Sequence, residues 1–354
     1  MNRLELPRLM SASSGLSLRH VVLARLCCPP AIICVSLRCV STISHWRDMD
    51  HELHTKRMRR AAQSLEGLSC GDAFGERFFV PDAVAESMIQ ERAVPAPPWF
   101  FTDDTVMALS ILETLAEHRE INPDALAISF AGRYDAGRGF GPAMHKLLPT
   151  IRRQPQSWRS EAAALFRGQG SFGNGSAMRV APLGAYFADD PERVAEQAGL
   201  SSIPTHSHPE AVAGAVAVAL ATALAWQMKN SSEPPSQKKF LQHVHQRLPD
   251  CHVRIGIQKA IDLPSEASVE TAVARLGNGS AVTAPDTVPF ALWCAARHLD
   301  NYEAALWATV SGLGDRDTTC AIVGGIVVMY AGLENIPGEW LQHREQIPTW
   351  VSSF

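Results

Sequence analysis

Cysteines in paired spacing, a basic excess and runs of alternating strand residues are all missing from this sequence, and each absence excludes something. Of 8 cysteines in 354 residues, those at 27, 28, 34 and 39 crowd into the first 45. The others, Cys70, Cys251, Cys294 and Cys320, have neither disulfide-framework nor zinc-ribbon spacing, which points to a reducing, cytoplasmic setting. The formal net charge is −4, so a dominant nucleic-acid partner is not expected and any nucleotide bound here is small. There is no Gly-x-Ser-x-Gly elbow, Walker loop or cysteine-nucleophile signature, and His51-Glu52-Leu53-His54 is one residue short of the metalloprotease pattern. His206-Ser207-His208 and His243-Val244-His245 lack a Cys or Glu at zinc-ligand spacing. One long uncharged run exists, Ala211 to Met228, but it is mostly alanine and valine between polar flanks. A buried core helix is expected there rather than a membrane span, with Pro209 in its first turn and Ala213, Gly214, Ala217 and Ala221 admitting close neighbours.

Two acidic clusters some two hundred residues apart hold most of the chemistry that is present. Thr102-Asp103-Asp104-Thr105 opens into an apolar run in which Met107, Ile111 and Leu115 share one helical face. Asp315-Arg316-Asp317-Thr318-Thr319 opens into Ala321–Tyr330, where Ile322 and Ile326 are in step and Gly324-Gly325 leave room for another helix. Helix capping is one reading, since Thr and Asp satisfy orphan N–H groups and complement the dipole. A cap needs one such residue, however, and each cluster puts two carboxylates and a hydroxyl beside a core, which a cation would neutralise. Oxygen ligands without Cys or His favour magnesium, calcium or manganese over zinc.

After Ala62 the pattern is helix after helix, including Ala125–Tyr134, Pro191–Ala198, Phe240–Leu248, Val288–His298 and Tyr302–Val310, so the fold class is all-α. Residues 1–45 are foreign in composition, rich in Arg and Ser with Glu5 the lone acid. An organellar transit segment, a poor signal peptide and sequence upstream of an initiator at Met49 or Met58 compete to explain them; the last is favoured, and the extension is expected to be disordered and dispensable. Residues 58–354 form the expected single domain. Gly277-Asn278-Gly279-Ser280 echoes Gly173-Asn174-Gly175-Ser176 without a wider repeat.

Gly71-Asp72-Ala73-Phe74-Gly75, Thr102–Thr105, Gly173-Asn174-Gly175-Ser176-Ala177-Met178-Arg179-Val180, Thr205–Glu210 and Gly314–Thr318 occur in the order of the ADP-ribosylglycohydrolase family. The chain resembles that family from about Ala62 to Trp340. The resemblance implies an orthogonal multi-helix bundle of one domain and two magnesium ions that manganese can replace; a monomer is expected. Hydrolysis of an ADP-ribosyl bond on a protein or small conjugate is the implied activity. It further implies Thr102, Asp103, Asp104, Asp315, Asp317 and Thr318 as metal ligands, with the four aspartates catalytic, and Gly170, Ser171, Phe172, Gly173, Asn174 and His206 as ADP-ribose contacts. Gly168-Gln169-Gly170-Ser171-Phe172-Gly173 fits the dinucleotide-binding pattern by letter, but it follows a helical stretch and not a strand; a glycine-rich loop cradling a diphosphate is the better reading. Asp72 can bond the backbone of its own turn and is expected to support the ligands rather than take part in catalysis, and Arg179 is expected to pair with a carboxylate. Two departures bear on the substrate. Phe79 stands where several family members carry a closing glutamate, with Glu76 nearby but out of register, which favours nitrogen-linked over serine-linked ADP-ribose. Arg316 adds a positive charge between two implied ligands. A catalytically silent ADP-ribose-binding relative and a metal-dependent phosphohydrolase are the alternatives.

Overall fold

The computed structural model describes residues 31–229 and 236–354, with side chains from residue 49. The expected character of residues 1–30 and part of the loop at 230–239 therefore lie outside the described residues. The chain divides after Asp50, and the packed helices and the site belong to the unit His51–Phe354. Among the described residues there is no β-strand, only isolated bridges between Trp99 and Arg344 and between Gly173 and Thr283. The all-α expectation holds.

The helices run in order as α1 (Ala31–Glu76), α2 (Asp82–Glu91), α3 (Asp103–His118), α4 (Pro123–Arg133), α5 (Met144–Arg153), α6 (Trp158–Gly168), α7 (Ala181–Tyr186) and α8 (Pro191–Ser202). Then come α9 (Pro209–Lys229), α10 (Gln237–His245), α11 (His252–Asp262), α12 (Val269–Leu276), α13 (Ala284–Arg297), α14 (Tyr302–Val310), α15 (Arg316–Ala331) and α16 (Gly338–His343). Local chemistry explains many of the starts. Asn122, Asp190, Ser236, Ser268 and Asn301 each accept a backbone N–H of the helix they precede, and prolines occupy the first turns of α4, α8 and α13. Pro285 accounts for α13 beginning at Ala284, four residues before the sequence pattern placed it. Helix α6 is irregular at its end, where Phe166 and Arg167 adopt φ of 50° and 62°.

The uncharged α9 is a core helix as expected, with 72% of its apolar window buried inside the protein, and it packs on α7, α8, α13 and α15. Its small residues matter: a Cβ on Gly214 would lie 2.8 Å from the Ala284 methyl. Helices α1 and α15 cross more closely still. Gly67, Gly71 and Gly75 of α1 face Gly324, Cys320 and Arg316 of α15, and a side chain on any of the three would fall on backbone of the partner helix. Beside that crossing Phe74 stacks on Trp340 at 4.4 Å and meets Trp99 and Trp307 edge-on, anchoring the end of α1.

Candidate active site

Both acidic clusters do sit at helix N-termini, but neither caps its helix. Thr102 and Asp315 are the N-cap residues of α3 and α15, and neither makes a side-chain cap bond. For α3 the acceptor comes from another helix. Asp72 lies inside α1, and its carboxylate accepts from Thr102 N (3.0 Å), Thr105 N (3.1 Å), Thr102 Oγ1 (2.8 Å) and Thr105 Oγ1 (2.6 Å). This corrects the expectation that Asp72 serves its own turn. The acid that does the capping is remote, so Asp103 and Asp104 are released from that task.

Asp104 is 1% exposed, and its Oδ1 has no hydrogen-bond partner. Its Oδ2 lies 3.0 Å from the Thr102 hydroxyl oxygen, which is also 2.8 Å from Asp72 Oδ1, so the two carboxylates share one hydroxyl proton. Asp103 is buried, and Asp315 and Asp317 are half-buried across the cavity. Burial first, then the charges of neighbouring aspartates, pushes the carboxyl of Asp103 up to about 8 and those of Asp104 and Asp317 well above the ordinary range. Asp315 is raised by burial and held back by the Asn174 amide, which donates to its Oδ2 at 2.7 Å. None of the four is in an ion pair among the described residues.

Two basic residues that could have paired with them do not. Arg179 is fully buried and was expected to pair with a carboxylate; it donates instead to Gly175 O, Ser201 O and Thr205 Oγ1 and lies 4.4 Å over the Phe130 ring. Arg316 turns away from the cluster, donating to Phe78 O at 2.7 Å and Asp82 at 2.9 Å, so its charge does not enter the site. Mutually repelling carboxylates with an orphaned oxygen and no ion-pair partner, eased only by the Arg179 charge acting without contact, match the donor chemistry of a hard cation. As they stand, no three Asp, Glu, His or Cys side chains among the described residues are close enough together to hold an ion. The fit is one of charge and ligand type from two facing pairs.

These groups border a cavity of about 400 Å³. Asp103, Asp315, Asp317 and Thr318 form one wall, and Ser171, Phe172, Gly173, Asn174 and His206 another. Thr102 and Asp104 stand behind that wall, and Gly170 sits at the base of the loop with φ 75°, tight against Ser207 and His208. Within the loop Gly170 N donates to Leu165 O, Gly173 N to Ser171 Oγ and Asn174 N to Val282 O, which leaves the Ser171 and Phe172 amides without such a bond among the described residues. His206 is tucked beneath, its ring against Gly173 and Gly175, with Nδ1 2.7 Å from Thr205 Oγ1. Burial and the Arg179 charge depress its pKa to about 3, so it is neutral.

Sequence reasoning missed two stretches of this wall. The glycine-rich 277–283 loop carried no assigned role, yet Asn278 O accepts the Asp315 N–H at 3.2 Å and Gly279 abuts the Asp315 side chain. The segment 139–144 was not singled out. Gly139 (φ 82°) lies beside the Asp103 carboxylate, and the cluster of glycines at 137, 139 and 141 was the available signal.

The model of the ADP-ribosylglycohydrolase family matches residues 53–353. ADP-ribosylhydrolase ARH3 of Homo sapiens is 28% identical over 322 residues, covering 79% of this chain and 88% of that protein. ADP-ribosylhydrolase ARH3 of Bos taurus is 30% identical over 278 residues, covering 69% of this chain and 74% of its own. A solved ADP-ribosylglycohydrolase-related protein complex superposes with a TM-score of 0.59 at 23% identity, covering 82% of this chain and 94% of that one, which supports the fold.

Proposed function

The chain belongs to the ADP-ribosylglycohydrolase family, and from that premise we propose that it hydrolyses an ADP-ribosyl glycosidic bond with the help of magnesium. The observation that carries this is that Asp103, Asp315 and Asp317, none in an ion pair among the described residues, line one cavity together with a glycine loop tied to Asp315 through Asn174. Thr102, Asp103, Asp104, Asp315, Asp317 and Thr318 would hold two magnesium ions, which supply electrostatic stabilisation and a water of lowered pKa. The chain's own part is positioning. The amides of Ser171 and Phe172 are the loop's remaining donors for a diphosphate, while Asn174 keeps loop and carboxylates in register. Neutral His206 supports the loop from below without adding charge. In the reaction a water oxygen bonds to the anomeric carbon as the bond to the acceptor breaks; an aspartate takes the water proton, and the acceptor leaves with a proton in its place. The diphosphate stays intact. Buried Cys70, Cys294 and Cys320 and half-buried Cys251, all free thiols, accord with a reducing compartment.

The test is product identity. Purified protein incubated with arginine-linked and serine-linked ADP-ribosyl peptides, with magnesium or with EDTA, should release ADP-ribose only with magnesium. AMP as the main product would move the protein to the phosphohydrolases. Binding of ADP-ribose without turnover of any substrate would make it a silent relative.

A further inference from the structure

Arg316 stands between two of the aspartates assigned to the metal, yet its side chain does not line their cavity. It is 6% exposed, and its guanidinium runs the other way, to the connection between α1 and α2. One nitrogen donates to Phe78 O at 2.7 Å, another to Asp82 Oδ1 at 2.9 Å, and the group lies 5.3 Å over the Phe79 ring. A single side chain thus grips the segment 78–82 at three points. The main chain is pressed against α1 as well: a Cβ on Gly75 would fall 2.2 Å from Arg316 O and 2.8 Å from the Asp317 Cα.

Such an anchor answers a geometric problem. Successive residues of an α-helix turn by about 100°, so side chains two apart leave on nearly opposite sides. Asp315 and Asp317 nevertheless line one cavity. Asp315 escapes the rule as the N-cap of α15, at φ −87° and ψ 79°, with its N–H on Asn278 O and its carboxylate on the Asn174 amide. Asp317 lies inside the helix and accepts from the Thr318 N–H of its own turn at 2.8 Å, so the direction of its carboxylate follows the rotation of that turn. Arg316 points away from the cavity and ties the same turn down. Its positive charge is unfavourable to a cation held by the residues on either side, so any gain in metal affinity must come from its contacts.

We propose that Arg316 is a positioning residue of the metal site: anchored on Phe78 O and Asp82, it fixes the first turn of α15 in the rotation that brings the Asp317 carboxylate to the cavity shared with Asp103 and Asp315. It contributes no ligand atom. The inference rests on the magnesium reading above and adds to it which side chain outside the ligand set determines how tightly the ion is held.

Calorimetric titration of the full chain and its variants with magnesium chloride tests this, because positioning, charge and bulk stability predict different results. Arg316→Ala should raise the magnesium Kd about tenfold, the usual loss when a group that orients a metal ligand is removed, with the helical circular dichroism unchanged. Arg316→Lys keeps the charge but not the planar fork, and should fall between the two at about threefold weaker. Were the charge all that mattered, Arg316→Ala would bind magnesium more tightly. Were the side chain to serve only the fold, both variants would melt lower at an unchanged Kd. Either result overturns the proposal. Should Arg316→Ala fail to fold, Arg316→Lys decides alone, and a Kd equal to that of the natural protein refutes the assignment. A natural protein that takes up no magnesium would overturn the metal reading and this inference together. Magnesium uptake without turnover of any ADP-ribosyl substrate would sink the hydrolase reading alone, and the Kd comparison would still decide the role of Arg316.

Discussion

Asp104 shows most sharply why the acidic residues are not ordinary caps. A buried carboxylate with one orphaned oxygen and a half-share in a hydroxyl proton is costly unless a proton or cation joins it. Its neighbours Asp103, Asp315 and Asp317 are better served by hydrogen bonds or exposure, but the charges of the cluster raise the pKa of Asp103, Asp104 and Asp317. If they act as one unit, Asp103→Ala and Asp315→Ala should each abolish magnesium-dependent turnover while leaving the helical circular dichroism nearly intact. The double variant should then lose little more than either single one, because members of a catalytic unit are strongly non-additive. Rate losses that multiply independently would separate the two clusters. Residue types and order were enough to nominate these aspartates. The same information misplaced Arg179 and Arg316, because whether a long side chain turns toward a carboxylate or toward nearby carbonyls depends on packing that no spacing rule encodes.

At the level of elements, the crossing of α1 and α15 places Asp72. Gly71 lies directly under the Cys320 carbonyl, and one residue later Asp72 reaches the start of α3. Gly71→Ala should destabilise the fold by about 1–3 kcal/mol, the usual cost of overpacking a rigid contact. Gly132 is the control: it lies in α4 with nothing within 4 Å of an added Cβ. Gly132→Ala should stabilise by about 0.5–1 kcal/mol through the entropy of the unfolded chain. Urea titration of both variants decides the matter, and a neutral Gly71→Ala would mean that the helices can part without cost. Sequence periodicity found Gly324-Gly325 as a place for close approach but could not name the partner, since the Gly67, Gly71 and Gly75 row acquires meaning only once it faces α15.

Across the unit His51–Phe354, the gathered carboxylates should make stability depend on pH and metal together. Burial sets the pKa of Asp72 at about 6 and that of Asp103 at about 8, both above the unfolded value of 3.8. The native state thus binds more protons than the unfolded one between about pH 4 and 8, so stability contributed by these groups is present at low pH and lost as pH rises through that window. Magnesium should offset the loss, and the melting-temperature gain of magnesium over EDTA should be larger at pH 8 than at pH 5.5; an equal or smaller gain at pH 8 would show that the cluster does not bind the ion. The sequence alone determined the all-helical class, the buried character of α9, the acidic clusters at two helix starts and the family, because these depend on periodicity and on residue types kept in order along the chain. Only the tertiary structure decided that Asp72 caps α3 from another helix and that the 277–283 loop and Gly139 border the carboxylates. Each of those is a meeting between segments far apart in sequence, fixed by how glycine-lined helices pack against one another.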